Sequence, residues 1–67
     1  MLTIELEQET DGRWIAEVAD LPGVLTYGRT RQEAIDHARA LALRVIADRL
    51  EQGEPVPEIR DVFAVAS

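Results

Sequence analysis

Apolar and polar residues alternate near the start of the chain, with Leu2, Ile4 and Leu6 on one side and Thr3, Glu5 and Glu7 on the other. A period of two describes a strand with one face on a core and the other in water. A second alternation runs from Arg13 to Ala19, setting Trp14, Ala16 and Val18 against Ile15 and Glu17, and the turn-forming Thr10-Asp11-Gly12 lies between the two. Parity selects the turn. A two-residue Asp11-Gly12 loop would place Leu6 opposite Glu17 and Glu9 opposite Trp14. A three-residue loop with Gly12 left-handed as a bulge instead pairs Ile4 with Val18, Leu6 with Ala16 and Glu9 with Arg13. A one-residue slip moves every side chain to the other face, so the bulged register is expected. It leaves Glu5 directly opposite Glu17.

Asp20-Leu21-Pro22-Gly23 follows, and proline before glycine suits a type II turn. Val24-Leu25-Thr26-Tyr27, closed by Gly28, is the third predicted strand. Thr30-Arg31-Gln32-Glu33 is a capping box opening the one long helix, which runs to about Gln52, where Gly53, Pro55 and Pro57 end it. Ala34, Ile35, Ala38, Leu41, Ala42, Val45 and Ile46 form the helix stripe that packs on the sheet. Arg49 falls near that stripe, its stem packed and its head in water. Leu43, Ala47 and Leu50 lie on the opposite side, either as scattered surface residues or as a second contact face for a homo-oligomer. Asp61-Val62-Phe63-Ala64-Val65-Ala66, apolar on both faces, reads as a fourth strand after a helical crossover. The expected class is α+β in the order β-β-β-α-β: a three-stranded antiparallel sheet, one long helix and a C-terminal strand, in a single domain over residues 1–67.

Length sharpens this. A chain of 67 residues buries only about 60% of the surface it exposes when unfolded. Its one core is worth roughly 3–5 kcal/mol, so self-association or a partner is an expected source of further stability. With no cysteine there is no disulfide, thiol nucleophile or zinc ribbon. The opening Met1 to Leu6 has no basic region and no unbroken apolar stretch, so no signal peptide is read there, and no 18-residue apolar run spans a membrane. A cytoplasmic location is expected by default.

The formal charge of −6 argues against direct nucleic-acid binding, which rests on clustered Lys and Arg. Residues 1–28 carry six acids against Arg13 alone, a net of −5, whereas residues 29–52 are near balance at +1 and residues 53–67 stand at −2. Such an N-terminal surface attracts basic proteins.

Little here points to catalysis. His37 is the only histidine, with no serine or cysteine partner, and it reads as a residue at the sheet–helix margin. The only serine is Ser67, and the glycines are widely spaced turn residues that form no phosphate loop. Glu5, Glu7, Glu9 and Glu17 share a sheet face. They fit a solvated row that guards against sheet stacking, a site for a basic partner, or a divalent-metal site. Ile15 among these acids favours the partner, because an apolar residue ringed by carboxylates is a docking surface for an Arg- or Lys-rich protein.

Asp11-Gly12-Arg13-Trp14, then Asp20-Leu21-Pro22-Gly23, Gly28, Thr30, Glu33-Ala34 and the later Gly53-Glu54-Pro55-Val56-Pro57 resemble the HicB antitoxin family. That family's pattern is a D-G-x-aromatic strand, P-D-L-P-G, a short strand ending in glycine, a capping T-x-x-E-A helix and G-x-P-x-P. The resemblance covers residues 11–57. Here Ala19 stands where proline is common, Val24 where cysteine is frequent, and Arg29 where aspartate often precedes the capping threonine. The resemblance implies a truncated RNase H-like fold without the nuclease's metal-binding carboxylates, and direct binding of HicA, a small basic mRNA interferase. Many members carry a C-terminal DNA-binding segment for autorepression; none is read after Ser67, so autorepression is not expected.

Three functions follow in order of expectation. The first is an antitoxin-like protein-binding module without catalysis or cofactor, contacting a HicA-like toxin through Glu5, Glu7, Ile15 and Glu17. The second is a stand-alone homo-oligomer joined through Leu43, Ala47 and Leu50 or by sheet edges, with an unrelated binding role. The third, a metal-dependent nuclease, would need carboxylates converging from several elements.

Overall fold

The first two alternating segments pair as parity requires. A computed structural model describes residues 2–59 and 63–66. Strands β1 (Glu5–Gln8), β2 (Trp14–Glu17) and β3 (Leu25–Gly28) form an antiparallel sheet in that order, and one helix, α1 (Arg31–Glu51), follows. The β1–β2 ladder pairs Glu5 with Glu17, Leu6 with Ala16, Glu7 with Ile15 and Gln8 with Trp14. The bulged turn is present: the Gly12 amide donates to the Glu9 carbonyl at 2.9 Å, the Glu9 amide to the Arg13 carbonyl at 2.7 Å, and Gly12 has φ +93°. The β2–β3 ladder pairs Trp14 with Gly28, Ile15 with Tyr27, Ala16 with Thr26 and Glu17 with Leu25.

Two chained turns join β2 to β3. The Leu21 amide donates to the Val18 carbonyl, and the Val24 amide then donates to the Leu21 carbonyl, across Pro22 and a Gly23 at φ +88°. The chain doubles back, so Leu21 points inward and is among the largest fully buried side chains, with Val18 and Val24. A turn residue thus anchors the core.

Thr30 caps α1: its hydroxyl accepts from the Glu33 amide at 3.0 Å, and the Glu33 carboxylate accepts from the Arg29 amide at 3.2 Å, one residue before the cap. At the other end Glu54 N–H reaches the Arg49 carbonyl and Gly53 N–H the Leu50 carbonyl, with Gly53 at φ +77°. These are the paired bonds of a Schellman stop. Ala34, Ala38, Ala42 and Ile46 are the buried helix residues, and Leu41 and Val45 pack at their margin. Arg49 is half-buried. Thr26, on the inner face of β3, donates its hydroxyl to the Ala34 carbonyl at 3.2 Å, so this polar group beneath the helix is satisfied.

Gly28 is not a turn residue. A Cβ there would stand 2.8 Å from Ala34 Cα and 2.9 Å from the Glu33 carbonyl carbon, with the Ala34 amide nitrogen nearer still. The end of β3 and the first turn of α1 therefore touch backbone to backbone, and only glycine permits that approach.

The loop after α1 contributes to packing. Val56 is buried, and a short 3₁₀ turn at Pro57–Ile59 brings Ile59 against the core. The fourth strand expected at Asp61–Ala66 is not among the elements. Phe63–Ala66 is irregular and exposed, Val65 at 93%, while Asp61 and Val62 lie outside the described residues. A strand apolar on both faces needs a cover on each side. The sheet has one helix, against its inner face, so an added strand would have kept one apolar face in water. Among the described residues the order is β-β-β-α.

Candidate functional site

The helix covers only the inner side of the sheet, where Ala16, Val18 and Val24 meet Ala34, Ala38 and Ala42. Strand alternation sends every other residue to the outer side, which no described element covers. There the ladder places Glu7, Ile15 and Tyr27 in one row across the three strands, and Glu5, Glu17 and Leu25 in the next. The predicted contact residues Glu5, Glu7, Ile15 and Glu17 are therefore brought together. Leu25 and Tyr27 join them, 44% and 45% exposed, while Ile15 is half-buried between its neighbours. Glu5, Glu7, Ile15, Glu17 and Leu25 also line a shallow depression of about 260 Å³.

The result is an apolar triangle of Leu25 and Tyr27 on β3 and Ile15 on β2, with Glu5 and Glu7 along its β1 side and Glu17 opposite Leu25. Glu5 faces Glu17 directly, a like-charge pair that costs stability in the free protein. Among the described residues none of the three glutamates has an ion-pair partner; the pairs present are Arg13–Asp11 and Arg39–Asp36.

Arg13 closes the hairpin end. Although its backbone sits opposite Glu9, its side chain turns to Asp11, with Nε donating to Oδ2 at 2.8 Å, and its guanidinium lies 5.1 Å from the centre of the Tyr27 ring. This fixes the ring's edge of the site. The Arg13 backbone N–H also donates to Asp11 Oδ1 at 3.0 Å. That amide bond, with the guanidinium adding to it, holds the Asp11 carboxyl below its ordinary value of 3.8. A carboxyl lowered in the folded state contributes stability above its unfolded value and loses it as pH falls through the folded one. In an acid titration followed by NMR, the Arg13 amide is expected to shift together with the Asp11 carboxyl below pH 3.8. Asp11→Asn is expected to abolish that step.

His37 lies at the sheet–helix margin, its Nδ1 2.7 Å from the Tyr27 carbonyl, a distance at which the ring N–H donates. It ties α1 to β3 behind the tyrosine. Among the described residues no group of three His, Cys, Asp or Glu side chains is placed to hold a metal ion, and no described helix is long and apolar enough to cross a membrane.

Leu43, Ala47 and Leu50 are not on the back of the helix. They share an apolar groove with Leu2, Ile46 and Ile59, so they flank the core stripe. Leu25 and Tyr27 escaped the sequence reading because Val24-Leu25-Thr26-Tyr27 is apolar at nearly every position and assigns neither face. Carrying the β2 parity through the Pro22-Gly23 turn would have found them.

The class defined by this architecture is a small α+β unit with one helix on a three-stranded antiparallel sheet. Comparison with protein-family models, curated proteins and solved structures finds no match to the chain.

Proposed function

We propose that this chain is a protein-binding module of the HicB-like antitoxin kind, without catalysis, that holds a small basic mRNA interferase of the HicA type on the outer face of its sheet. On this reading the sheet and helix are a truncated RNase H-like unit used for docking. The observation that carries it is the outer-face apolar cluster of exposed Leu25 and Tyr27 and half-buried Ile15, beside Glu5, Glu7 and Glu17, which have no ion-pair partner among the described residues. An aromatic and two aliphatic side chains supply the desolvated centre of an interface, and the carboxylates supply attraction and orientation toward a cationic partner. Toxin inactivation then follows from occlusion: residues of a basic RNase that would meet phosphates meet glutamates instead.

Titrating the protein into a HicA-type RNase while following RNA cleavage tests this. Cleavage is expected to be suppressed stoichiometrically. Binding is expected to weaken by about tenfold or more when salt is raised well above physiological strength. Tyr27→Ala is expected to weaken it by about tenfold or more, as for a central aromatic. Binding that ignores both salt and Tyr27 would refute the site.

A second reading, a self-associating domain whose binding role involves no toxin, draws on a different observation: the exposed apolar flank at Leu43, Ala47 and Leu50.

A further inference from the structure

The helix is too long for the sheet beneath it. Its 21 residues rise about 31 Å, whereas strands of four residues cover roughly 13 Å. The C-terminal half of α1 therefore overhangs, and its flank is open: Leu43 is 67% and Leu50 50% exposed, with Ala47 between them. With Leu2, Ile46, Ile59 and the 72% exposed Phe63 these residues line a groove of about 330 Å³, which adjoins a second of about 320 Å³ along Ile4, Val18 and Ala42. The inner face of β1 borders this trough, because α1 packs chiefly on β3 and β2.

Charge around the flank has a definite order. Asp36, Arg39 and Arg44 precede Ala47 on the helix and sum to +1, whereas Asp48, Arg49 and Glu51 on the helix and Glu54 just beyond its end sum to −2, so the stretch before Ala47 is the basic end and the stretch after it the acidic one. Arg39 already lies 3.8 Å from Asp36, a long and largely exposed pair that engages one of its two terminal nitrogens. A surface whose basic end and acidic end are arranged about one small residue is complementary to itself when turned by 180°. Self-complementarity of that kind is what an isologous interface requires, whereas a foreign partner requires no internal symmetry at all. We propose that two copies of this chain pair through α1, antiparallel about a two-fold axis at Ala47.

In that arrangement Leu43 lies beside Leu50 of the second copy, Arg39 meets its Glu54 and Arg44 its Glu51. Ala47 at the crossing lets the helices approach within the usual 8–10 Å. A parallel pairing would set arginine beside arginine. The need is physical as well. Among the described residues the core holds nine buried apolar side chains, four of them alanine, and covering two leucines per copy adds burial that so small a core lacks. The two outer sheet faces stay free, one on each copy. This rests on the self-association reading and specifies its geometry.

Sedimentation equilibrium of the full chain across the micromolar range tests it. The wild type is expected to be a dimer, and Leu43→Glu is expected to weaken association by about a hundredfold, since it buries an unpaired charge. Leu43 is mostly exposed in the single chain, and circular dichroism checks that the variant still folds. The register is tested on exposed residues alone. Arg39→Glu and Glu54→Arg are each expected to weaken the dimer several-fold, and the double variant R39E/E54R to regain most of the loss. A wild type that stays monomeric overturns both self-association and this geometry. A dimer indifferent to Leu43→Glu, or a double variant no better than the singles, overturns the geometry alone. Lysines at Glu5, Glu7 and Glu17 are expected to leave dimerisation unchanged, so failure of the toxin-binding reading does not touch this one.

Discussion

Gly28→Ala is expected to remove a large part of the stability of this fold. The added methyl group meets the Ala34 backbone and the Glu33 carbonyl carbon, and backbone atoms cannot swing aside as a side-chain tip does. Either β3 or the first turn of α1 must shift. That strains the Thr30 cap and lengthens the Thr26 hydroxyl bond to the Ala34 carbonyl. Overpacking of this kind costs about 1–3 kcal/mol, in a domain whose total is on the order of 3–10 kcal/mol. The midpoint of thermal unfolding, followed by circular dichroism, is expected to fall by roughly 10 °C or more. Gly12→Ala is the matching control. Gly12 has positive φ but open space around it, so only the backbone term of about 1 kcal/mol applies. If the two variants melt together, the backbone contact at Gly28 is not what holds the layers.

Reversing Glu5, Glu7 and Glu17 to lysine together is expected to weaken binding of a basic toxin by roughly a thousandfold, the scale of several close interfacial charge pairs. The single change Glu17→Lys is the more informative. In the free protein it replaces a like-charge cross-strand pair by Glu5 opposite a lysine, worth about 0.2–1 kcal/mol of added stability. In the complex the same lysine meets a cationic surface, and affinity is expected to drop by roughly ten- to a hundredfold. Thermal unfolding and titration should therefore move in opposite directions. A residue kept only for solubility would show no such opposition.

How far the chain announced itself depends on whether local rules or contacts distant in sequence decided a residue's place. The hairpin register was readable because every alternative put an acid against a leucine. The turns at Gly12 and Gly23 and the Thr30 cap were readable because each depends on a few neighbouring residues. Leu21 was not, since nothing in a Pro-Gly turn says that two turns run in succession and drive the preceding side chain inward. Gly28 was not, because its role is fixed by a helix that begins three residues later and folds back. The fourth strand has no counterpart among the described residues Phe63–Ala66 for a related reason: apolarity on both faces describes what Phe63 and Val65 need, not what the sheet can supply. Of the candidate site, the carboxylates and Ile15 were legible from parity on β1 and β2. The half on β3 was not, because its composition favours neither face.

Ala34, Ala38 and Ala42 set the distance between helix and sheet, and methyl groups are the shortest side chains that still expel water. Layers held that closely make a thin slab with hardly any inside. Among the described residues the depressions lie on the outside of the slab, so what it offers a partner is written on its two broad sides.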